Sequence, residues 1–65
     1  MTTFVGIVYT GSYADKEVEI AYAGNDYELA CEKAIEMANK KSEVECAVVQ
    51  KWENGINLSI EEVYR

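Results

Sequence analysis

The stretch NDYELACEKAIEMANKK, residues 25–41, decides the fold. At about 100° per residue, Tyr27, Ala30, Cys31, Ala34, Ile35, Met37 and Ala38 share an arc of roughly 160°, with Glu28, Glu32, Lys33, Glu36 and Lys40 outside it. That stripe predicts one amphipathic helix. Its small members Ala30, Ala34 and Ala38 would let the helix lie close on whatever it covers. Gly24-Asn25 breaks the pattern that precedes it. Asn25 followed three residues later by Glu28 matches a capping box, so the helix is expected to start there. Asn39-Lys40-Lys41-Ser42 ends it, with cations near the negative pole of the dipole. Leu29 falls on the opposite face, among the acids.

On either side of this helix the period changes from 3.6 to 2. From Thr3 to Thr10, Val5, Ile7 and Tyr9 alternate with Phe4, Gly6 and Val8, so the first strand is apolar on both faces. Gly11 to Lys16 has loop composition. Glu17 to Ala23 then alternates strictly, Val18, Ile20 and Tyr22 on one face and Glu17, Glu19 and Ala21 on the other. After the helix, Val44 to Trp52 reads as a third strand. Asn54-Gly55 is a hairpin signal leading into Ile56, Leu58 and Ile60 of a fourth. A two-residue turn would pair Glu53 with Ile56. A three-residue loop with a bulge at the glycine would pair Trp52 with Ile56, Gln50 with Leu58 and Val48 with Ile60. The longer loop is preferred, because it gathers Trp52, Val48 and Cys46 on the face of Ile56, Leu58 and Ile60.

The expectation is a single α+β domain over residues 1–65. A four-stranded antiparallel sheet has one helix packed on one face, in the order β-β-α-β-β. A chain of 65 residues builds only one thin core. No apolar run approaches the roughly 20 residues that cross a bilayer, and Met1-Thr2-Thr3-Phe4 does not look like the start of a signal peptide. A cytoplasmic protein with no membrane partner is expected. Cys31 and Cys46 lack motif spacing and read as partly buried thiols in preference to a disulfide.

The sequence offers little chemistry. It has no histidine, and two cysteines cannot complete a four-ligand zinc site. Gly6, Gly11, Gly24 and Gly55 are scattered, so no phosphate loop is present. Glu17 with Glu19, or Glu61 beside Glu62, could share a proton only in a cavity that desolvates them, and one thin core leaves no room for such a cavity. A solvated strand face is the simpler reading of those pairs. No catalytic residue, metal or cofactor is expected.

Two surfaces remain as binding candidates. On the helix, Glu28, Glu32 and Glu36 recur every four residues beside Leu29. Neighbouring like charges cost a few tenths of a kcal/mol each in a helix, so the ridge opposes stability unless Lys33 and Lys40 relieve it. The second candidate is the sheet face away from the helix, where Phe4 and Val8 are expected beside Glu17 and Glu19. Tyr13, in the first loop, adds a contact. Net charge −6 opposes direct binding to nucleic acid and favours a partner with a basic surface. The same acidity would also keep a small protein soluble. An edge strand could pair with a second copy, giving a homodimer.

The layout running from Ala23-Gly24-Asn25 through the Ala-rich helix to Val48-Val49-Gln50-Lys51-Trp52-Glu53-Asn54-Gly55, about half the chain, resembles the small acidic phage-encoded inhibitors of bacterial defence. These include anti-CRISPR and antitoxin-like proteins. The resemblance is one of layout and transfers no residue roles. It implies a non-enzymatic inhibitor that blocks a nucleic-acid-handling host complex, such as a CRISPR effector, by docking an acidic surface on a basic site. The alternative reading is a dimeric module that binds or sequesters a small ligand or nucleotide, with Trp52 and the tyrosines as a stacking platform.

Overall fold

The computed structural model describes residues 1–11 and 16–64. Strand β1 spans Thr2–Gly11, β2 Lys16–Gly24, helix α1 Tyr27–Lys40, β3 Val44–Glu53 and β4 Ile56–Tyr64. The strands form one antiparallel sheet of four in the order β2-β1-β3-β4, and α1 packs on one face of it. The fold class is therefore the α+β arrangement that the alternating periods predict. Strands β2 and β3 both run antiparallel to β1 and so parallel to each other. Parallel strands need a crossover, and α1 supplies it.

A glycine decides which side of the sheet the helix covers. A Cβ on Gly6 would stand 2.8 Å from the Ala30 carbonyl oxygen and 3.3 Å from Ala34 Cβ. The missing side chain in β1 and the alanine stripe of α1 together let the two backbones approach. Ala30, Ala34 and Ala38 are all buried. Val8, Ala34, Ala38 and Ala47 form the core, with Met37, Val44, Val63 and Tyr64 packed around it. Val8 and Val49 are the largest fully buried side chains, so the core is as thin as the chain length implies. At the far end Phe4 meets Tyr27 edge-on, ring centroids 5.4 Å apart at 68°.

The helix begins one residue later than the capping box at Asn25 suggests. Asp26 is the N-cap: its Oδ1 accepts from the Leu29 amide at 3.1 Å, and its backbone is extended. The cause lies in β2. The Asp26 backbone N–H donates to the Tyr22 hydroxyl at 3.3 Å, which ties the entry of the helix to the end of the strand. The β1–β2 register slips between Gly6 and Ile7, whose partners are Tyr22 and Ile20, so Ala21 is the extra residue. This bulge turns Tyr22 toward the helix, away from the face of Val18 and Ile20 that strict alternation assigns to it.

The hairpin also corrects the expected register. Asn54 and Gly55 have φ of 52° and 79°, the left-handed pair of a two-residue turn whose twist matches the flanking strands. Glu53 pairs with Ile56, and the three-residue loop is not formed. The slip comes one step later: Trp52 pairs with Asn57 and Lys51 with Ser59, leaving Leu58 as the extra residue. Gln50 then pairs with Ile60, so Ile60 does rejoin the face of Trp52 and Val48. The bulge sits in the strand and not in the turn.

Candidate functional site

Strand β1 is apolar on both faces, so alternation alone cannot say which face the helix covers. The expected outward surface of Phe4, Val8, Glu17 and Glu19 proves to be the covered side. Val8 is fully buried in the core, Phe4 contacts Tyr27, and Glu19 and Glu17 pair with Val8 and Thr10 on that same side. Glu19 Oε1 accepts from Lys41 Nζ at 2.8 Å, an ion pair that fastens the helix end to β2. Tyr13 lies outside the described residues.

The open face is instead the odd-numbered side of β1, Val5, Ile7 and Tyr9, continued by Val18 and Ile20 of β2. On the other flank it continues through Cys46, Val48, Gln50 and Trp52 of β3 to Asn57, Ile60 and Glu62 of β4. Ile7 and Val48 pair across the two central strands and are nearly closed by their neighbours. The outer strands are bare: Val18, Ile20 and Ile60 are 59%, 64% and 61% exposed. Toward the hairpin end the Trp52 indole N–H donates to Gln50 Oε1 at 2.8 Å, which satisfies the indole donor. Sequence reasoning missed this face. The signal was Gly6, the one even-numbered position of β1 small enough to admit an alanine-lined helix.

The outer face of α1 is the second surface. Glu28, Glu32 and Glu36 are exposed, spread over about 12 Å at 1.5 Å per residue. Lys40 Nζ lies 3.2 Å from Glu36 Oε1, and that hydrogen bond, with Lys33 and Lys40 nearby, holds the Glu36 carboxyl below its ordinary range. Among the described residues, no cation stands within ion-pair distance of Glu28 or Glu32. Leu29, expected to be bare beside them, is half-buried and makes a poor anchor.

Two other clusters complete the map. Thr10, Gly11, Glu17, Lys40, Lys41 and Ser42 line an open polar depression at the C-terminal end of α1. Its lysines are engaged by Glu36 and Glu19, and the helix end is its negative pole, so the depression does not suit an anion. Across the sheet, the Tyr27 hydroxyl is held neutral far above its ordinary range by hydrogen bonding to Glu61 and then to Cys31. This links the first turn of α1 to β4. Among the described residues, no three His, Cys, Asp or Glu side chains are grouped to hold a metal ion, and no helix is long and apolar enough to cross a membrane. No protein family, curated protein or solved structure matches the chain.

Proposed function

We propose that this chain is a non-enzymatic interaction protein that presents the outer face of α1 to a basic surface on a larger protein. The observation that carries the reading is the pair Glu28 and Glu32, two exposed carboxylates with no cation within ion-pair distance among the described residues, on a helix otherwise fastened at both ends. Uncompensated like charges weaken a helix slightly, and a basic partner turns that cost into attraction. The resemblance to phage inhibitors narrows the partner, within this reading, to a nucleic-acid-handling host complex whose phosphate-binding surface the acids would occupy. Stacking of a nucleotide on Trp52 draws less support, because that ring is half-buried and its N–H is already bonded to Gln50.

Affinity capture from a lysate of the organism that encodes the chain tests this, with the wild type against a Glu28→Gln, Glu32→Gln, Glu36→Gln triple. A second triple, Glu17→Gln, Glu45→Gln, Glu53→Gln, removes the same charge elsewhere. The expected result is a stoichiometric basic partner retained by the wild type and the second triple, lost by the first, and weakened as salt shortens the screening length from about 10 Å at 0.1 M to about 3 Å at 1 M. Equal capture by both triples would overturn the reading.

A further inference from the structure

A sheet covered on one side only leaves half of its side chains without a second layer. In this molecule the apolar ones among them include Val18, Ile20, Ile7, Val48, Trp52 and Ile60, drawn from all four strands. The bare aliphatic side chains are best matched by an apolar surface, while Trp52 Nε1 and Gln50 Oε1 are bonded to each other and Asn57 Oδ1, beside Trp52, is buried without a hydrogen-bond partner among the described residues.

We infer that the occupant is a second copy of this chain, two sheets packing face to face into a symmetric four-layer dimer with a helix on each outer side.

Area, charge and geometry support that occupant. Four strands about 4.8 Å apart and about nine residues long at roughly 3.3 Å per residue give a face of about 570 Å², or about 1,100 Å² over two copies. This just clears the roughly 1,000 Å² that a specific interface needs. A chain of net charge −6 would ordinarily repel its own copy. Here the acids that make that charge lie elsewhere. Glu28, Glu32 and Glu36 are on the far side of α1, and Glu17 and Glu19 are on the covered side of the sheet. The pair Lys16–Glu45, at 3.6 Å, stands at one end. Glu62 is the exception: it pairs with Val48 and so stands on this face, at its β4 margin, in the row of Ile7 and Ile20. Two acidic molecules can therefore meet on this face with Glu62, on the edge strand where its carboxylate reaches the rim, as the acid each brings to it. Sheets stacked about 10 Å apart would cover the two central strands fully and bring the bare isoleucines of the outer strands into contact across the interface.

The inference stands apart from the acidic ridge and is tested without any partner. Sedimentation equilibrium of the full chain over a wide concentration range should show a mass rising to twice 7.3 kDa. The emission of Trp52, the one tryptophan, should shift to the blue and resist acrylamide quenching as the mass rises. Ile20→Glu combined with Ile60→Glu should hold the mass at that of one chain with an unchanged far-UV circular dichroism spectrum, since both positions are exposed in the single chain. Lys33→Glu, on the outer helix face, should leave the dimer intact. A wild-type chain that stays at one copy throughout would overturn the inference. So would a dimer that survives the double substitution, or one in which Trp52 is quenched as easily as at high dilution. The fluorescence arm needs no variant, so misfolding of the double mutant would not shield the inference.

Discussion

Gly6 and Gly55 show two unrelated reasons for a glycine, and the same substitution separates them. At Gly6 the obstacle is space: the added methyl would press on the Ala30 carbonyl oxygen, a backbone atom that moves only if the helix does. Gly6→Ala is expected to cost about 1–3 kcal/mol, as overpacking does, and to loosen α1 from the sheet. At Gly55 nothing lies within 4 Å of the added methyl, and the obstacle is the left-handed backbone at φ 79°. Gly55→Ala should cost about 1–2 kcal/mol. Urea unfolding measures both, and near-ultraviolet circular dichroism tells them apart. Only Gly6→Ala should disturb the Phe4–Tyr27 contact, which depends on where the helix sits. Equal spectra for the two variants would contradict a packing role for Gly6.

At the level of elements, the residues reveal their own conformations more readily than their partners. The helix and β2 are legible from their periods, β1 and β3 from their β-rich composition, and Asn54-Gly55 marks the turn into β4 without help from the rest of the chain. The cap and the bulges are less legible, since each is settled by a contact from another element. Asn25 and Asp26 are both good caps. The Tyr22 hydroxyl selects between them, and Tyr22 can do so only because the bulge at Ala21 turns it inward. Asp26→Ala should therefore destabilise the protein by about 0.5–2 kcal/mol, whereas Asn25→Ala should change it by a few tenths at most. Chemical denaturation of the two variants decides the matter, and the reverse order would restore Asn25 as the cap.

For the whole molecule, the face buried by the helix was the hardest feature to read. Val5, Ile7 and Tyr9 are as apolar as Phe4 and Val8, so burial preference cannot rank the two sides of β1. Steric fit can, and only Gly6 carries that information. The acidic positions of α1 were legible because Glu28, Glu32 and Glu36 fall outside the apolar stripe and are exposed, although Leu29 beside them is half-buried. The open sheet face was not, because its identity depends on a choice made two elements away. Backbone pairing adds an independent check on the strand order. Amides of β1 and β3 lie between bonded neighbours on both sides, while β2 and β4 are edges. Hydrogen exchange should be slowest in β1 and β3, and equally slow exchange in β4 would mean that its edge is covered too.

The order β2-β1-β3-β4 also bears on how the chain assembles as it is made. Strand β1, which precedes the other three, takes a central place, where it must wait for β2 and then for β3 from beyond the helix. The last strand joins at the rim, bonded to β3 alone. The hairpin at Asn54-Gly55 lays it along the edge that β3 presents. That edge is thus closed by a hairpin with a two-residue turn, so no distant segment of the chain is needed to reach it.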